Sequence, residues 1–89
     1  MEYTYPLSLD WSKQEVIDVI AYFQAVEQAY EKGINKKELM DKYRRFKEIV
    51  PGKSEEKQMC NEFEKDSGFS SYRTIEKAKE LEDDKKVKM

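Results

Sequence analysis

Apolar residues return at spacings of three and four between Val16 and Tyr30. Val16, Val19, Phe23, Val26 and Tyr30 carry the pattern, and Ile20 lies inside the same stripe. That period puts them on one face of an α-helix. The helix start is written just ahead of it. Ser12 stands three residues before Glu15, the spacing of a reciprocal capping box, and Trp11 and Val16 occupy the two staple positions. Gly33 suits a left-handed stop. The pattern predicts a first helix over about residues 13–32.

The same grammar repeats in "GINKKELM". Asn35 is a cap, Glu38 completes an asparagine version of the box, and Ile34 with Leu39 forms a second staple. Leu39, Met40, Tyr43, Phe46 and Val50 then share a face until Pro51, which cannot continue a helix. A second helix is predicted over 36–49. Ser54 caps a third, with Glu55 and Glu56 in its positive first turn and a narrow stripe of Met59, Cys60 and Phe63. Gly68 ends it, with Phe69 placed for the contact that accompanies a glycine stop. Ser70 or Ser71 caps a fourth helix carrying Tyr72, Ile75 and Ala78.

The two ends read differently. Tyr3, Tyr5, Leu7 and Leu9 alternate along the first residues, but Pro6 interrupts them and no partner strand is evident. They are expected to form an extended arm packed on the helices. "EDDKKVKM" shows no period and few apolar positions, so residues 82–89 are expected to be a flexible, frayed tail. The fold expected is all-α: four short helices in an irregular array, one domain over residues 1–81, with helix 1 as its central member.

Composition narrows what such a domain does. The chain has 89 residues, enough for one domain. Charged residues make up 40% against 38% apolar, so the core is small. Net charge is −2, which disfavours a globally basic nucleic-acid binder and leaves room only for a local patch. There is no histidine and one cysteine, which removes the common zinc ligand sets and an internal disulfide. A lone thiol, no apolar run of about 20 residues and no basic-then-apolar leader point to a cytoplasmic protein without a membrane partner.

Charge is unevenly placed. The segment 36–49 holds six cations against three acids and is the one locally basic helix. On a helical wheel Lys37, Arg44 and Lys47 line one flank of its apolar seam. Such a flank suits phosphates or an acidic partner. It also suits internal pairing, because Glu38 precedes Lys42 and Asp41 precedes Arg45 by four residues. Glu27, near the apolar stripe of helix 1, needs a cation, and Arg44 or Lys47 is the expected one. The basic helix is read mainly as internal balance for acidic helices 1 and 3.

Arg73 and Lys77 mark a second candidate surface on the fourth helix, where Ser71 and Thr74 add groups suited to a base edge or phosphate. Tyr3 and Tyr5 mark a third, since tyrosine is enriched in interfaces. No catalytic residue, cofactor, metal or small-molecule substrate is expected. The commonest general base is missing, and Cys60 sits in an apolar stripe as a small core residue. The reading is a small non-enzymatic cytosolic protein-interaction module, with another protein or a second copy as partner. The alternative is a nucleic-acid-associated protein using helix 36–49 or the helical hairpin 55–81.

The stretches "YPLSLDWS", "YRRFKEIVPGKSEEKQ" and "FEKDSGFSSYRTI" resemble a family of short bacterial proteins, uncharacterised protein family 0223, found mainly in Gram-positive bacteria. The resemblance spans about residues 3–81. It implies four helices in an irregular array and carries over no activity and no catalytic residue.

Overall fold

The computed structural model describes residues 10–89, and most of them are helical. The elements run α1 (Lys13–Glu31), β1 (Ile34–Asn35), α2 (Lys36–Ile49), α3 (Lys53–Ser67), α4 (Ser71–Lys79) and β2 (Lys86–Val87). The expected all-α architecture is the observed one, with a minimal two-stranded ribbon added. The expected arm, with Tyr3 and Tyr5, lies outside the described residues.

α1 starts as its sequence dictates. The Ser12 hydroxyl accepts from the Glu15 N–H at 3.2 Å, and the Glu15 carboxylate accepts from the Ser12 N–H at 2.8 Å. Both orphan donors are satisfied. Ser12→Ala is expected to cost about 1 kcal/mol and lower the thermal midpoint by about 4–8 °C. An unchanged midpoint in a melting experiment would remove Ser12 as the cap.

α1 packs chiefly on α2 and buries Val19, Tyr22, Phe23, Ala25, Val26 and Ala29. Five rings from three helices join there. Tyr22 stacks on Phe46 at 4.7 Å between centroids, and Phe23 stacks on Phe63 at 4.5 Å. Tyr43 lies 5.6 Å from Tyr22. Such pairs contribute about 0.5–1.5 kcal/mol each beyond the area they bury. Tyr22 lies outside the three-and-four stripe read from the sequence, yet it is fully buried. The reason is that α1 is covered on two sides, by α2 and by α4, so its buried face is wider than one stripe.

Three local features differ from expectation. α3 begins two residues earlier than a Ser54 cap requires: its N-cap is Gly52, with no side-chain bond. Pro51 and Gly52 turn the chain so tightly that the helix follows at once. Asn35 caps α2 by accepting from Lys37 N at 2.9 Å, so its bond goes to Lys37 and not to Glu38. Tyr72, placed by spacing with Ile75 and Ala78, is 69% exposed. α4 turns Ser71, Thr74, Ile75 and Ala78 inward instead.

The largest difference is the tail. Residues 82–89 do not fray. They turn back and pair β2 antiparallel to β1, with Val87 opposite Ile34 and Lys86 opposite Asn35. Val87 is fully buried, and Met89 N–H donates to the Ala29 carbonyl at 2.9 Å. Lys36 braces the return: its ammonium donates to the Leu81 carbonyl at 2.5 Å and lies 3.7 Å from Asp83. A two-residue strand is too short for its alternation to stand out in sequence. Its stability comes from covering Ile34, which is remote along the chain. Gly33 makes the approach workable. Its φ of 93° is in the left-handed region, which lets α1 stop and β1 begin at once.

Candidate interaction surface

Where α2, α3 and α4 converge on α1, a set of polar groups lines the edge of the aromatic core. The Tyr22 hydroxyl and Ser71 hydroxyl share a hydrogen bond of 2.5 Å. The Tyr43 hydroxyl donates to Glu56 at 3.0 Å, and the Lys47 ammonium donates to the other oxygen of the same carboxylate. Cys60 sits among them, half-buried against the core. Burial pushes its thiol pKa up, and a hydrogen bond from Ser71 only partly offsets this. A thiol held protonated is a poor nucleophile. That agrees with the core role expected of Cys60.

The two tyrosines carry a pH prediction. Burial pushes the Tyr22 phenol well above its ordinary pKa against the opposing Ser71 bond. Burial, together with the Glu56 charge, raises Tyr43 from 10.0 to about 12. A raised folded pKa means the neutral phenol is favoured by the fold. The stabilisation is therefore complete below pH 10 and is lost as pH rises through about 12. Tyr43→Phe is expected to flatten that alkaline limb while costing about 1 kcal/mol at neutral pH through the lost bond to Glu56. Denaturation across the alkaline range checks both effects. An unaltered alkaline limb would mean Tyr43 ionises freely in the folded state.

Among the described residues, four of the six cations of the basic helix, Lys36, Arg44, Arg45 and Lys47, make ion pairs within the chain. Arg45 holds Asp18 of α1 at 2.8 Å. Its guanidinium, with a bond from Gln14, keeps the Asp18 carboxyl below the usual range. Lys47 holds Glu56 of α3, and Arg44 pairs with Asp41 one turn back in α2. Among the described residues, Arg44 and Lys47 pair with Asp41 and Glu56 and not with Glu27, the acid expected to meet one of them. The Pro51–Gly52 turn brings Glu56 onto Lys47, a juxtaposition that a single-helix wheel does not contain. Lys37 is exposed at the start of α2, whereas Lys47 faces α3 and is only 31% exposed. Lys37, Arg44 and Lys47 thus lie in three different settings. The broader expectation, a basic helix balancing α1 and α3, matches the Asp18 and Glu56 pairs.

α4 presents the opposite case. Tyr72, Arg73 and Lys77 all point outward. Among the described residues, neither Arg73 nor Lys77 makes an ion pair, although Lys77 donates to the Lys88 carbonyl at 2.6 Å. Tyr72 stands at helical spacing from Ile75, yet it is exposed where Ile75 is buried. Only the rotation of α4 about its own axis, set by Ser71, Thr74 and Ala78, turns it outward. Among the described residues, the other large apolar side chain left open is Ile17, 48% exposed on α1. Among the described residues no group of three or more acidic, cysteine or histidine side chains is arranged to hold a metal. No helix among them is long and apolar enough to cross a membrane.

A model of "Uncharacterised protein family (UPF0223)" matches residues 2–87. The chain is 58% identical to a UPF0223 protein of Bacillus pumilus over 89 residues, covering 100% of both chains. It is likewise 58% identical to UPF0223 protein YktA of Bacillus subtilis over the full length of each. A UPF0223 protein of Bacillus cytotoxicus is 57% identical with the same coverage.

Proposed function

The chain belongs to the uncharacterised protein family UPF0223, and we propose that it works as a small non-enzymatic protein-interaction domain whose contact face is the outer side of α4. One observation carries this reading. Arg44, Arg45 and Lys47 of α2 each hold a carboxylate of the same chain. The Arg73 and Lys77 cations of α4 do not, and beside them stands Tyr72, the most exposed large apolar side chain among the described residues. Tyrosine and arginine are the residues that most often anchor protein interfaces. Internal pairing of α2 also weakens the nucleic-acid reading through helix 36–49. The net charge of −2 adds general repulsion toward phosphate.

The test is a photo-crosslinking amino acid placed at Tyr72 in the full chain, with Lys57 on the outer face of α3 as the control position. Discrete protein adducts at 72, absent at 57 and unchanged by nuclease, are expected. Loss of the adducts on nuclease treatment would transfer the surface to nucleic acid. Absence of adducts at 72 would remove α4 as the contact face. Tyr72→Ala is expected to change stability by less than about 0.5 kcal/mol, so loss of contact would not reflect unfolding.

A further inference from the structure

We infer that α4 and the C-terminal strand together form a docking strip for an acidic segment of a partner protein. The inference rests on the interaction reading above and names the partner's chemistry. Arg73 and Lys77 are four residues apart and so share one face of α4. The bond from the Lys77 ammonium to the Lys88 carbonyl lays the end of the chain beside that face. In β2 the side chains alternate: Val87 goes to the core while Lys86 and Lys88 face out. A Cβ on Gly33 would lie 3.5 Å from the Lys88 Cβ, so the Lys88 side chain leaves the ribbon next to Lys32 at the end of α1. The strip comprises Arg73 and Lys77 of α4, Lys86 of β2 and Lys88 just after it, with Lys32 at the end of α1 preceding Gly33. All five are exposed, and among the described residues none makes an ion pair. The tail was neutral and structureless by sequence. Its folding back is what assembles this surface.

Lysines on a short edge strand also serve to block unwanted strand pairing. That role accounts for Lys86 and Lys88 but not for Arg73 and Lys77, which lie on a helix. The partner's class follows from the surroundings. Glu76 lies on α4 between the cations, Glu80 caps the end of that helix, and Asp83 and Asp84 sit in the turn before β2. A phosphodiester backbone, negative at every unit, meets these acids as well as the lysines. A protein segment sets its carboxylates at intervals and puts neutral or basic residues opposite the acids.

The experiment titrates the full chain, at low salt, with a short peptide of glutamates spaced by serine and leucine, followed by amide-resolved NMR. Shifts centred on Arg73, Lys77, Lys86 and Lys88 are expected, weakening as salt is added. Charge reversal by Lys86→Glu with Lys88→Glu is expected to lower the peptide's affinity by roughly tenfold, and Lys57→Glu to leave it unchanged. Shifts centred elsewhere, no saturable shifts, or equal binding of a single-stranded RNA of the same charge would each overturn the inference. The two readings separate cleanly. If the protein adduct at position 72 persists in the Lys86→Glu, Lys88→Glu chain at undiminished yield, the acidic strip is wrong and the α4 contact face stands.

Discussion

Phe63→Ala is expected to cost about 3–5 kcal/mol and to release α3 from the body of the protein. Phe63 is the one buried residue of α3, a helix of 15 residues. Its ring stacks on Phe23 at 4.5 Å and is fully enclosed. Among the described residues, α3 is also attached by partly buried Met59 and Cys60 and by the carboxylate of Glu56, shared by Tyr43 and Lys47. Glycines stand at both ends of α3, so its junctions add little stiffness. Small domains are stable by about 5–15 kcal/mol in total, so the loss is a large fraction. Urea denaturation measures the cost. Cys60 labelling in the native state reports the release, because the thiol is half-buried only while α3 is seated. Faster labelling is expected in Phe63→Ala, and an intermediate rate in the milder Phe63→Leu, which remains informative should the alanine variant fail to fold. Unchanged labelling in both would mean α3 is held by contacts other than this ring.

Removing residues 86–89 is expected to cost about 3 kcal/mol, from the lost burial of Val87 and the lost backbone bonds. The deletion takes away the strand that covers Ile34, itself 1% exposed, and the bond from Met89 to Ala29. Ile34 would then face water at the junction between α1 and α2. Thermal melting of the shortened chain measures the loss, and amide exchange at Ile34 locates it. A loss below about 0.5 kcal/mol with slow exchange at Ile34 would return the tail to the frayed state its composition suggests. A single Val87→Asp should reproduce most of the effect without shortening the chain, since a carboxylate there would replace a fully buried member of the apolar core.

Much of the fold was legible because its signals are local. Ser12 with Glu15, Asn35 ahead of α2, Pro51 after Val50 and Gly68 after Ser67 act on their immediate neighbours. A linear reading therefore recovered the helix limits to within about two residues. The apolar spacing of α1 and α2 likewise fixed which sides face inward. The failures share a cause. Tyr72 was misplaced because α4 is short, and three residues at helical spacing do not define its rotation. Ser54 was overrated as a cap because the tightness of the Pro51–Gly52 turn is a backbone property. Tyr22 was missed because two covering helices widen a buried face.

The sequence by itself determined four helices, their order, their starts and stops to within about two residues, and a basic α2 between acidic neighbours. These follow from hydrogen-bonding and steric rules that operate within a few residues. The tertiary structure alone decided which charges meet and which remain open. Lys47 finds Glu56, nine residues on, and Arg45 finds Asp18, 27 residues back. The tail finds β1 because Val87 can bury against Ile34. Burial and charge pairing depend on distance in space, and a turn or a docked strand brings together groups whose separation along the chain carries no mark of it. The cations of α4 and β2 stand out only after the partners among the described residues have been assigned.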